Sequence, residues 1–169
     1  MPRYNCCLSV LVMYFVLVSG SPGWSHARAV DKDEKKDPQD PPPILTTNPL
    51  QFSRDDDEVR KKLKALYNQR VAITKELYVE YRSYKELKCD LLLNSARRLV
   101  RTGLEVYDKP EEQVDFLKQM MELPTRLAAV MDKRLRTAPL DREKLGEFTA
   151  ELEYEMAKAK KAAAKEKKK

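Results

Sequence analysis

Apolar positions along the chain recur at steps of three and four, and nowhere alternate as they do in a half-buried strand. The first stripe is Val59, Leu63, Leu66, Ile73, Leu77, Tyr81 and Tyr84, with Arg70 at the skipped position. It predicts one helix over about residues 55–85, roughly 45 Å long. Ser53-x-x-Asp56 reads as a capping-box start, and Asp55, Asp56, Asp57 and Glu58 suit the positive end of a helix dipole. The acid run lacks the glycine turn and ligand spacing of a calcium loop, so it is read as capping. The polar stretch Ser83–Cys89 is a turn or a bend. A second stripe follows at Leu92, Ser95 or Ala96, Leu99, Gly103 and Val106. Asp108-Lys109-Pro110 stops it and opens the next helix. The third stripe is Val114, Leu117, Met121, Pro124, Ala128, Met131 and Leu135, with a kink expected at Pro124. After Thr137-Ala138-Pro139 the fourth runs through Leu140, Leu145, Phe148, Leu152, Met156, Ala159 and Ala163, then dissolves into Lys165–Lys169.

These stripes predict an all-α domain over 53–160: two helical hairpins in an antiparallel, coiled-coil-like four-helix arrangement around one seam. A weak internal repeat at an offset of 53 pairs Leu63 with Phe116, Leu77 with Val130, Tyr78 with Met131, Leu92 with Leu145 and Leu99 with Leu152.

The N-terminus changes how the composition is read. Arg3, the apolar run Cys6–Val18 and the small-x-small site Ala27-Arg28-Ala29 make residues 1–29 an expected secretory signal peptide. Residues 30–52, charged and rich in proline (Pro38, Pro41, Pro42, Pro43), read as a disordered or extended tether. Beyond Ala29 the chain has no histidine and one cysteine, Cys89. That excludes a Ser-His-Asp triad, a Cys-His pair, a His-bearing zinc site and an intramolecular disulfide in the mature chain. Only Gly103 and Gly146 remain as glycines, so there is no phosphate-cradling loop. No cofactor, metal or small-molecule substrate is expected. The net charge of +6 is a property of the tail: Val30–Ala157 carries 24 basic and 26 acidic residues. A specific nucleic-acid face on the body is therefore not expected. The Lys-rich tail, 161–169, is either a solubilising frayed end or a weak, salt-sensitive contact for anionic surfaces.

Two segments also carry a resemblance. Tyr81-Arg82-Ser83-Tyr84, a polar stretch, and Asp90-Leu91-Leu92-Leu93-Asn94-Ser95-Ala96-Arg97-Arg98-Leu99 resemble the periplasmic helical-hairpin repeat of TolC-type outer-membrane efflux proteins. A second copy would be Lys133–Ala138, Leu140-Asp141 and Glu151-Leu152-Glu153, with Asp108-Lys109-Pro110 as the joint between copies. The chain is similar to small exported bacterial helical proteins built from such hairpins, over about residues 58–160. The family's tip glycine is replaced here by Tyr84 and Ala138, and membrane-inserting strands are absent. The resemblance thus implies a periplasmic helical module of an envelope complex rather than a pore.

Few residues suggest chemistry. Cys89, at a turn before a helix and near Lys85 and Lys88, is either a reactive thiol or an inert one. Tyr67, Tyr78, Tyr81 and Tyr84 form either an aromatic binding patch or the edge of a helical core. Arg97, Arg98 and Arg101 form a basic face, an anion site or a solvated surface paired with acids. The expectation is an exported, non-enzymatic interaction or structural protein, in the periplasm or cell envelope, that contacts protein partners or itself through amphipathic helices. The alternative is a periplasmic holdase with apolar grooves lined by Met120, Met121, Met131 and Met156, or a helical protein that binds anionic surfaces.

Overall fold

The computed structural model describes residues 40–83, 89–133 and 139–167. Its regular elements are a 3-10 turn at Pro43–Leu45 and five α-helices: α1 Glu58–Ser83, α2 Cys89–Val106, α3 Pro110–Met120, α4 Glu122–Lys133 and α5 Pro139–Glu166. The chain is all-helical, and no strand occurs among the described residues. The signal-like segment, the tether up to residue 39, Tyr84, the two lysines before Cys89, Leu135 and Ala138 lie outside the described residues.

Three charged or polar contacts set α1 antiparallel to α2. Arg60 Nη1 pairs with Asp108 at 2.6 Å. Arg70 Nη1 donates to the Arg98 carbonyl at 2.6 Å. Thr74 and Ser95 share a hydroxyl hydrogen bond of 2.8 Å. Arg70 also donates to the Thr102 hydroxyl. The skipped position of the first stripe is therefore a polar register pin, since a single polar residue in a heptad row favours one alignment. At the other side, Arg142–Asp132 at 2.7 Å and Lys167–Glu111 at 3.0 Å place α5 antiparallel to α4 and α3. The two pairs meet through α2 and α5, which run parallel. Asp90 pairs with Lys144 at 2.7 Å and Arg97 with Glu151 at 2.8 Å, each across 54 positions. That separation is one residue from the offset of the internal repeat, so equivalent stretches of the two copies pack side by side.

The helices thus run α1, α2, α5, α3/α4 around a core that includes Leu92, Leu99, Leu117, Leu127 and Phe148. The remaining side is closed by the segment before α1. The 3-10 turn packs on α1 and α3, and Ile44 and Leu45 are 2 % and 1 % exposed. Asp40 anchors its start, its carbonyl accepting from Arg126 Nη1 at 2.8 Å and Tyr78 Oη at 3.4 Å. Farther on, Asn68 clamps Leu50 by two bonds: the Leu50 N–H donates to Oδ1 at 2.8 Å, and Asn68 Nδ2 donates to the Leu50 carbonyl at 3.0 Å. The tether expected over 30–52 is therefore, from residue 40, a strap built into the core. Its Ile44 and Leu45 enter the core between α1 and α3, and Leu50 packs against it.

Three further expectations are corrected. Helix α1 starts at Glu58 rather than near 55. Asp57 is its N-cap, with the Arg60 N–H donating to Oδ1 at 2.6 Å. Ser53 and Asp56 instead form the turn before it, the Ser53 N–H donating to Asp56 Oδ2 at 2.7 Å. Lys64 Nζ, 2.5 Å from Asp56, holds that carboxyl below the usual range, helped by the same Ser53 N–H. The kink at Pro124 is a break at Met121, three residues upstream. Proline lacks the N–H that would bond the Met120 carbonyl, and its ring crowds that turn. The Thr125 hydroxyl, 3.1 Å from the Met121 carbonyl, supplies one bond there. Finally, the helical part passes the expected boundary at residue 160: α5 stays helical to Glu166, close to where the fourth stripe dissolves, with Ala159 buried and Ala162 and Ala163 half-buried.

Candidate functional site

The second stripe is where the sequence puts it, since Leu92, Ala96, Leu99, Gly103 and Val106 are all buried. Of the described residues of the first stripe, only Tyr81 is fully buried. The buried residues of α1 are Tyr67, Thr74, Tyr78 and Tyr81. Leu63 and Leu77 are half-buried, while Val59, Leu66 and Ile73 are 73 %, 39 % and 42 % exposed. The helix is rotated so that the tyrosines reach inward and the aliphatic heptad faces out. Tyr67 stands edge-on to Tyr107 at 6.0 Å and to Phe116 at 6.1 Å. Its burial raises the phenol's pKa, with Tyr107 adding to the effect. The aromatic-patch reading of Tyr67, Tyr78 and Tyr81 is thereby overturned: they are core.

The outward row Val59, Leu66, Ile73 has a strict seven-residue spacing, as in a coiled-coil seam. In the α1/α2 register, Leu91 of α2 stands level with Leu77 and is 54 % exposed. The fold does not require apolar residues along this row. The positions 53 residues further on are Glu112, Gln119 and Arg126. At the equivalent positions the second copy is polar throughout: Glu112 and Gln119 are exposed, and Arg126 turns to the Asp40 carbonyl. Sequence reasoning took the row for core. The signal that identifies it is this difference between copies.

Other candidates separate clearly. The Cys89 thiol is fully buried at the start of α2, and burial, with Asp141 and Asp90 nearby, pushes its pKa up to about 11. A neighbouring hydrogen bond from Tyr81 and the charge of Lys144 only partly offset this. The reactive-thiol reading fails because desolvation outweighs the helix N-terminus. A thiol reagent at pH 8 is expected to label the native protein at least about a hundredfold more slowly than the urea-unfolded chain, because the thiolate fraction falls tenfold per pK unit. Equal rates in a quench-timed alkylation assay overturn that assignment.

Arg97 is engaged: it bonds Glu151, which raises its pKa, and its guanidinium lies 5.8 Å from the Phe148 ring centroid. Arg98 and Arg101 are exposed. Between α2 and α5 is a groove of about 440 Å³ lined by Arg97, Arg101, Phe148 and Tyr154. Of the four methionines proposed to line grooves, Met120 is core and Met156 is half-buried against it. Met121 and Met131 do line one, about 370 Å³ between α4 and α5, with Pro124, Ala128, Leu145 and Gly146. Among the described residues no three His, Cys, Asp or Glu side chains are placed to hold a metal, and no helix is long and apolar enough to cross a membrane. Comparison with protein-family models, with curated proteins and with solved structures finds no match to this chain.

Proposed function

We propose that this protein is an exported, non-enzymatic helical interaction module of the cell envelope, comparable to the coiled-coil part of a TolC-type efflux protein without its membrane strands. The observation that carries the reading is the row Val59, Leu66, Ile73: large apolar side chains held in solvent at heptad spacing on a 26-residue helix. Such a row is unfavourable in water, and covering it with a partner helix removes that cost. The signal-like residues 1–29 support export, and the two side-by-side copies support the resemblance to a repeated hairpin. A second reading, a holdase, is favoured by the apolar groove at Met121 and Met131.

One experiment addresses both. A photo-crosslinking residue is placed at Ile73 or at Gly146 in cells that make the protein. Gly146 is a tolerant site, as no atom lies within 4 Å of where its Cβ would be. Discrete protein adducts from Ile73 and few from Gly146 are expected. Adducts spread over many proteins from Gly146 alone favour the holdase. Absence of adducts from both positions removes both readings.

A further inference from the structure

We infer that the partner of the α1 row is α1 of a second copy of this chain, laid antiparallel across a two-fold axis near residue 68. This rests on the preceding proposal that the row is an interaction surface, and it names the occupant.

The row is self-complementary in that arrangement. About residue 68, Val59 meets Leu77 of the other copy and Leu63 meets Ile73, with Leu66 next to the axis. Each of the four paired side chains thereby gains an apolar neighbour, as an isologous contact requires. The charges beside the row select the direction. Lys62 lies toward the start of α1, and Glu76 and Glu80 toward its end, all exposed. The antiparallel pairing sets Lys62 against Glu76 of the partner copy, with Glu80 one turn further on and Gln69 against Gln69. A parallel pairing sets like charges beside each other at both ends. The inner side of α1 is already occupied by α2 and the strap, so only the outer row is open to a second copy. The polar counterparts Glu112, Gln119 and Arg126 confine the contact to the first half of the chain and close the assembly at two.

The test is sedimentation equilibrium of the full chain over a wide concentration range, with circular dichroism to confirm that helicity is kept. A monomer–dimer equilibrium is expected. Ile73→Lys changes an already exposed position and should raise the dissociation constant roughly a thousandfold, since the symmetry counts a hot-spot loss twice. Lys62→Glu and Glu76→Lys should each weaken the dimer about tenfold, and the double variant should restore it. A chain that stays monomeric, or a dimer indifferent to Ile73→Lys, overturns the inference. Single weakening without restoration in the double variant overturns the antiparallel geometry. A monomer whose residue-73 probe still captures a different protein in cells overturns self-pairing alone and leaves the interaction module standing. No capture of any kind removes both.

Discussion

Phe116→Ala is expected to lower stability by about 3–5 kcal/mol in urea denaturation followed by circular dichroism. The ring is 2 % exposed and lies 5.3 Å from the Tyr107 centroid and 6.1 Å from that of Tyr67. Its truncation therefore leaves a cavity between α1, the end of α2 and α3, and forfeits two ring–ring contacts. The same ring lies against Gly103, where any Cβ would overlap its outer edge. In an open helix, Gly→Ala gains about 1 kcal/mol. Here Gly103→Ala is expected to lose about 1–3 kcal/mol instead, because the ring is wedged between two tyrosines and has no room to retreat. Adding Phe116→Leu to Gly103→Ala should cost less than it does alone, as a shared contact requires. A Gly103→Ala protein more stable than the parent would show that the ring moves freely.

The second large effect concerns the strap. Ile44→Ala and Leu45→Ala in the full chain are each expected to cost about 2–5 kcal/mol, as large-to-small changes in a core do. Both residues are almost wholly buried between α1 and α3. Asn68→Ala should add a smaller loss, about 1–3 kcal/mol, because two partly buried backbone groups of Leu50 lose their partner. A disordered tether tolerates all three. Unchanged urea midpoints for Ile44→Ala and Leu45→Ala would return this segment to the tether reading.

How much of this was legible in the sequence varies by element. The stripe of helix α2 is legible, because the helix is buried on one broad face, though that face also takes in Leu93, Val100 and Thr102 beside the stripe. Helix α1 carries two interleaved series at the same spacing, the aliphatic one from Val59 to Leu77 and the aromatic one from Tyr67 to Tyr81. Hydropathy favours the aliphatic series. The tertiary structure favours the aromatic one, because Tyr67 packs on Tyr107 and Phe116, which other helices supply. Those partners lie 40 or more residues away, and no local pattern reports them. The strap itself was hidden by its composition, with Ile44, Leu45, Leu50 and Phe52 set among prolines and polar residues without helical or strand spacing. Pro124 reads as a kink within one helix, whereas the helix breaks at Met121, because proline acts on the turn before it. Cys89 was placed correctly at a helix start, but its burial depends on Tyr81 and α5, which sequence spacing does not reveal. The outward row was visible all along and was assigned to the wrong side.

The strap also imposes an order of events on synthesis. Its residues leave the ribosome before any of the helices, yet the Asp40 carbonyl bonds Arg126, 86 positions later. The α1/α2 pair closes from contacts about 20 to 50 residues apart and is complete early. Closure of the fourth side must wait for α4, so a segment made before the helices is the last to lock. Until then Tyr67, Tyr78, Ile44 and Leu45 stand open together. A nascent chain therefore presents these apolar side chains for most of its elongation, and the finished helices α3 and α4 are what finally conceal them.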